Sequence, residues 1–255
     1  MQFGAITGYV DLAQIILYLF WLFFAGLIYY LVRENHREGY PMESDSMGTA
    51  VIKGWPIPEP KTYKLADGSS VTVPELHRTE PEYAAKSTAA APGSPIEPTG
   101  DPMLSGAGPG AWSNRADKPD LTAHGDVKIV PLRVIPAYNV SENDPDPRGL
   151  PVIGGDGKPG GTVRDLWLDQ SEMLFRYLEI ETPVAGGTRR VLVPIPFARI
   201  RRTEVEVDAI FGSHFAQVPT TRHPEQITFL EEDKITAFYG AGTLYAEPSR
   251  GEPIL

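Results

Sequence analysis

Apolar and polar positions follow three different patterns along this 255-residue chain. From Leu12 to Val32 there is no alternation at all. The stretch LAQIILYLFWLFFAGLIYYLV carries no charge, and Gln14 is its only strongly polar side chain. Apolar on every side, it predicts a helix of about 31 Å, which matches a bilayer hydrocarbon core of about 30 Å. A buried helix of a soluble domain would keep a polar face, and this stretch has none. A cleaved secretory signal would open with basic residues and carry a shorter apolar run. Here nothing before Leu12 is basic, and the run leads straight into RENHRE.

From about residue 40 to 125 no period holds. WPIPEPKTY predicts an extended polyproline segment. TYKLADGSSVTV predicts one hairpin turning at Asp67–Gly68. AAAPGSPIEPTGDPMLSGAGPG has no periodicity, and by composition it is a linker. Trp55, Tyr63, Met103 and Trp112 are large apolar anchors of a kind that linkers seldom contain, and they favour an extended segment ordered on a partner surface. Both readings stand at this point.

From about Lys128 the pattern becomes that of strands. KIVPLRV, TVRDLWLD, LFRYLEIE, RRVLVPI and TEVEVDAI mostly alternate apolar with polar, and turns such as GGDGKPGG and PVAGG separate them. Short strands at this spacing predict a small barrel or sandwich. LEEDKITAFYG near the end predicts a helix with its acids in the first turn, where the dipole favours them, and with Gly240 as a stop.

The flanks of the apolar run set an orientation. Asp11 is the only charge before it, whereas Arg33 and Arg37 follow at once. By the positive-inside rule the N-terminal residues 1–11 lie on the periplasmic side and the region after the span in the cytoplasm. Tyr29 and Tyr30 mark the headgroup level, with Arg33 and Arg37 completing a membrane-interface collar. The expected division is a span at 12–32, an extended Pro/Gly-rich segment with one hairpin at 33–125, and a mainly β domain with a short C-terminal helix at 126–255.

Composition narrows the function. The region after the span holds all 23 Lys and Arg and 32 of the 33 Asp and Glu, a net charge of −9. Such a surface does not suit nucleic acid. The 25 Pro and 25 Gly imply many loops, yet 42% hydrophobic residues suffice for a core. There is no cysteine, in keeping with a reducing compartment.

Several motifs dissolve on inspection. GDGKPG, Gly155 to Gly160, matches G-x-G-x-x-G but leads into a strand, and Pro159 lacks an amide; it reads as a hairpin turn, not a dinucleotide site. The five histidines are scattered and no cysteine completes a zinc site. His124-Gly125-Asp126 reads as an exposed loop with room for a loosely bound cation. No serine sits in a nucleophile elbow. In WLDQSEMLFRYLEIE, Asp169 and Glu172 fall in the connection between two strands, with Arg176, Glu179 and Glu181 in the next strand. Acidic turns are ordinarily just solvated; a proton relay also needs titratable groups of this kind beside a site that consumes protons.

In order along nearly the whole chain, FWLFFAGLIYYL, REGYP, PKTYKL, PTGDPM, GPGAW, KIVPLRV, DPDPRGLPV, GTVRDLWLD, FRYLEIE, ITFLEEDKI and GAGTLYA resemble the H subunit of the purple-bacterial photosynthetic reaction centre. The resemblance makes the β region a PRC-barrel. It implies a pigment-free, non-catalytic subunit of the inner photosynthetic membrane that caps the cytoplasmic face of the L and M subunits. Those partners would carry bacteriochlorophyll, bacteriopheophytin, quinones and iron. The capping subunit would seal the secondary quinone from water and supply part of its proton route. Light-harvesting antenna, a cytochrome subunit and membrane lipids are further partners consistent with the resemblance. Asp169 and Glu172 match the acidic pair leading to the quinone, and His124 matches a histidine at which protons are taken up. Asp126 stands where some relatives have a second histidine, and Thr122 where they have a carboxylate, so a tight surface metal site is not implied. Arg115, Asp117, Lys128 and Arg176 align with charged positions that would support the route. Two other classes compete: a membrane-tethered PRC-barrel adaptor of another complex, and a membrane-anchored hydrolase or dehydrogenase, for which the catalytic motifs are missing.

Overall fold

The structure is a computed structural model that describes residues 11–40, 42–44, 50–52, 56–75, 84–91 and 93–251. Trp55, one of the expected anchors, lies outside the described residues. By contact the chain divides into two units, Met1–Pro81 with Ala89–Ser94, and Glu82–Thr88 with Pro95–Leu255.

In the first unit, helix α1 runs Leu12–Asn35. Asp11 caps it, its carboxylate accepting from the Gln14 amide at 2.7 Å, which satisfies one of the free N–H groups of the first turn. None of its residues is buried. Among the described residues it is the one helix long and apolar enough to cross a membrane. The helix outlasts the uncharged run by three residues because Arg33 and Glu34 still favour helix. After it the chain is clamped by Arg37, which is buried. Its guanidinium pairs with Glu34 at 2.6 Å and donates to the carbonyls of Glu59 at 2.8 Å and Val73 at 3.2 Å. Arg37, expected in the membrane collar, also holds the chain that follows the span, while Tyr29 and Tyr30 are exposed. Strands β1 (Met42–Ser44) and β2 (Ala50–Ile52) pair antiparallel. So do β3 (Lys61–Lys64) and β4 (Ser70–Val73), the hairpin expected about Asp67–Gly68. Gly68 takes φ +84°, and Asp67 accepts from the Ser69 amide at 2.9 Å.

The second unit holds the main core. Its first hairpin, β5 (Ala85–Ser87) with β6 (Ile96–Pro98), lies in the stretch where no period was found. Beyond it Met103 and Ala107 are buried, and a 3-10 turn at Gly108–Gly110 lies on the C-terminal helix. The unit thus takes in residues 95–125, ahead of the expected boundary at 126, since Met103 belongs to its hydrophobic core. Tyr63 and Trp112 are partly exposed, and the Lys234 ammonium of the C-terminal helix lies 5.8 Å over the Trp112 ring.

The sheet that follows contains β7 (Ile129–Pro131), β8 (Pro151–Gly154), β9 (Pro159–Asp169), β10 (Leu174–Val184), β11 (Gly187–Pro194), β12 (Arg199–Ile200) and β13 (Val205–Val207). Its order is β11-β10-β9-β8-β13-β12, with β7 also paired to β9. All pairs are antiparallel except β13 with β8, where Val205 faces Val152. The GDGKPG segment is the β8–β9 turn, as expected, with Gly157 at φ +72°. Strands β8 and β12 were not anticipated; four and two residues are too short to show a period. Helix α2 (Phe229–Tyr245) gives Ile235, Phe238, Tyr239 and Ala241 to the same hydrophobic core as Trp167, Leu178 and Phe215. Each large side chain buried there contributes about 1.5–3 kcal/mol. A capping box starts the helix: Thr228 accepts from the Glu231 amide at 3.2 Å, and Glu231 accepts from the Thr228 amide at 2.9 Å. Gly240 does not stop it. A Cβ there would lie 2.7 Å from the Pro109 carbonyl, so this glycine is where the 3-10 turn touches the helix.

Candidate functional site

The β9–β10 connection has four residues, Gln170–Met173, and Met173 takes the left-handed conformation at φ 57°. Asp169 builds this turn. One carboxylate oxygen, Oδ1, accepts from the amides of Ser171 at 2.9 Å and Glu172 at 3.0 Å. The other, Oδ2, faces two cations, Arg176 at 3.2 Å and Lys128 at 3.6 Å. Asp169 is wholly buried, while Glu172 is half exposed. Glu172 touches the same cations, Arg176 at 2.9 Å and Lys128 at 3.7 Å.

Backbone irregularity delivers both cations. The β9–β10 register shifts between Phe175 and Tyr177, so Arg176 is the extra residue of a bulge and leaves the strict alternation of the strand. That frees its guanidinium to reach back over the turn. Lys128 precedes β7, whose Ile129 pairs with Asp169. The Gln170 amide donates to the Lys128 carbonyl at 2.9 Å, and its side chain donates to the Val127 carbonyl at 2.8 Å. A third carboxylate, Asp120, meets Lys128 at 3.3 Å.

Electrostatics fix the charges of Asp169 and Lys128. Burial alone would raise the Asp169 pKa. The Glu172 and Ser171 amides, Arg176 and Lys128 outweigh burial and hold it below the ordinary carboxylate value. Burial would likewise loosen the Lys128 proton, but Asp120, Asp169 and Glu172 raise its pKa instead. Asp169 is a fixed anion between fixed cations, and Glu172 is the carboxylate of the pair that meets water.

His124 and Asp126 are both exposed on a tight loop in which Thr122 Oγ1 accepts from the His124 amide at 3.3 Å and the Asp126 amide at 3.2 Å. The bridge between Leu121 and Val127 ties this loop to Lys128. Among the described residues no three His, Cys, Asp or Glu come together in a way that could hold a metal ion.

Arg115 and Asp117 belong to a separate cluster at the start of α2. Arg115 meets Asp233 at 3.2 Å and lies 4.4 Å over the Phe229 ring; Asp117 pairs with Arg222 and accepts from the Thr228 hydroxyl at 2.9 Å. Between the two clusters stands Glu232, which the sequence showed only as an acid in the first turn of a helix. The Tyr177 hydroxyl donates to it at 2.8 Å, and burial raises its pKa against the pull of Tyr177, Arg115 and Arg176. Its signal was out of reach, since Tyr177 lies 55 residues away along the chain.

The charged end of the sheet is rimmed by apolar side chains left in water: Leu121, Met173 and Leu174 are 54%, 59% and 40% exposed. Exposed apolar side chains of this kind are surface that a partner can cover. Comparison with known families agrees. The model of the photosynthetic reaction centre H-chain N-terminal region matches residues 4–134, and that of the PRC-barrel domain matches residues 140–213. The first match separates the chain from a PRC-barrel adaptor of some other complex, and neither family is that of a hydrolase or dehydrogenase. With half of its length matched by the first family and its β domain by the second, the chain belongs to the H-chain family of photosynthetic reaction centres, as a single-pass, non-catalytic membrane subunit that associates with other reaction-centre subunits.

Proposed function

We propose that this subunit caps the cytoplasmic face of the L and M subunits and conducts protons to the secondary quinone, with Glu172 as the carboxylate that exchanges the proton. The single observation that carries the reading is the pairing of a solvent-reachable carboxylate, Glu172, with a wholly buried one, Asp169, across the same two cations, Lys128 and Arg176. In this reading Asp169 does not travel with the proton. It fixes Lys128 and Arg176, and these cations hold the Glu172 carboxylate in place beside the turn. The loop carrying His124 and Asp126, joined to Lys128 through Val127, is the uptake end of the route. The rim of Leu121, Met173 and Leu174 is the part that the L and M subunits would cover, excluding bulk water so that protons arrive only through the relay. The pigments, quinones and iron would lie in those partners. A quinone reduced by two electrons takes up two protons, so the cap must be permeable to protons while closed to water.

The test is flash kinetics on the intact complex across pH. Glu172→Gln keeps the shape and removes the titration. The expected result is a second, proton-coupled electron transfer slowed by about tenfold or more, with primary charge separation unchanged. Asp169→Asn slows it in the same direction through the loosened cations, and the two changes do not add because they lie on one path. Unchanged second-electron and proton-uptake rates in both single variants and the double variant would return the pair to the class of ordinary acidic turns.

A further inference from the structure

Away from the charged turn, four arginines line one open cavity of about 480 Å³ in the second unit: Arg133, Arg148, Arg164 and Arg190. Such a concentration is not a by-product of composition, since the chain as a whole carries a net charge of −10. The cavity is built in two tiers. Asp165 and Glu179 form its floor, with side chains 9% and 3% exposed. They face one another across β9 and β10, in register. Arg133 spans both, at 3.0 Å to Asp165 and 2.7 Å to Glu179, and Arg190 meets Glu179 at 2.9 Å. The buried indole of Trp167 donates to Glu179 at 2.9 Å and fixes that carboxylate from below.

The upper tier is made of guanidinium edges. Arg164 is held by Glu181 at 3.0 Å, and Arg148 by Asp146 at 2.9 Å, so each arginine has one side locked. Their side chains remain 35% to 57% exposed for Arg148, Arg164 and Arg190. Nη1 of Arg148, Nη1 of Arg164, and Nε and Nη2 of Arg190 have no hydrogen-bond acceptor among the described residues. The carboxylates are thus spent on orienting the arginines, and the N–H groups left over belong to side chains that water reaches. Guanidinium forks held in advance are the arrangement that suits a tetrahedral oxyanion, which offers several acceptors at once, better than a single carboxylate.

We propose that this arginine cavity is a binding site for a phosphate group, carried either by an anionic lipid headgroup or by a soluble phosphate. The test is calorimetric titration of inorganic phosphate into the intact complex. The expected result is saturable binding in the millimolar range or tighter that weakens about tenfold or more in the Arg164→Ala/Arg190→Ala double variant, and does not change in Arg199→Ala, which removes an exposed arginine elsewhere on the sheet. Arg164→Lys/Arg190→Lys keeps the charge and the fold while removing the forks, and is expected to weaken binding as well. Soluble dihexanoyl phosphatidylglycerol then separates the sources. Competition with phosphate by this lipid, and none by its phosphatidylcholine counterpart, assigns the site to a lipid headgroup; phosphate binding without such competition assigns it to a soluble phosphate. Absence of saturable phosphate binding, or binding equal in wild type and both double variants, would overturn the proposal.

Discussion

Asp169 and Glu232 are both withdrawn from water, and their neighbours push them in opposite directions. Asp169, with two amides and two cations on its carboxylate, has a lowered pKa. Its contribution to stability is present above the unfolded aspartate value of about 3.9 and is lost as pH falls through the folded value. Glu232, raised mainly by burial, contributes stability that is complete below the unfolded glutamate value of about 4.3 and is lost as pH rises through its folded value. Thermal unfolding of the complex across pH should separate them. Asp169→Asn places an amide against Arg176 and Lys128, costs about 1–3 kcal/mol at neutral pH and flattens the acid limb. Glu232→Gln keeps an acceptor for Tyr177, raises stability at neutral pH and flattens the limb above the unfolded glutamate value. A profile parallel to wild type in either variant contradicts the assignment of that residue. Asp169 and Glu172 were singled out by the family resemblance, since an acidic turn by itself is ordinarily just solvated. Glu179 was not. Placed by the sequence only in the next strand, it is buried, because Arg133, Arg190 and Trp167 all converge on it from other elements.

Among the elements, the long strands β9, β10 and β11 and the helix α2 could be read from periodicity, since each repeats its pattern often enough to be seen. The shortest pieces could not, and the end of α2 was misjudged for a definite reason. Glycine near a helix end usually stops the helix, but Gly240 and Gly242 are there for close approach. A Cβ on Gly242 would lie 2.4 Å from Ile210 Cγ2 and 2.5 Å from the Ala209 carbonyl oxygen. At an exposed mid-helix position, glycine to alanine gains about 1 kcal/mol. Gly242→Ala is expected to reverse that sign and cost about 1–3 kcal/mol, because a backbone carbonyl cannot swing aside as a side chain can. Thermal unfolding decides it, and a variant as stable as wild type or more so would mean that α2 and the Ala209–Ile210 segment separate easily.

At the scale of the whole molecule, an apolar helix is followed by a long acidic region, and by the positive-inside rule Arg33 and Arg37 beyond the helix predict a cytoplasmic β domain. Protease added to the cytoplasmic face of sealed membranes should remove the β domain; protection there, with digestion from the opposite face, would reverse the orientation. The order of strands carries a further consequence. Most pairings in the sheet join consecutive strands; β7 with β9 skips one strand, and the longest reach is the parallel seam in which Val152 of β8 meets Val205 of β13. That seam raises the contact order of an otherwise local topology, and loop-closure entropy must be met before it forms. Because the ribosome delivers the chain from its N-terminus, the hairpins on one side of β8 can assemble while its other edge still waits for residues 205–207. For that interval a nascent subunit exposes an unpaired, apolar strand edge, the kind of surface to which stray strands add. The timing of translation across β9 to β13, rather than the strength of any single contact, would then set how much of this subunit reaches its native state.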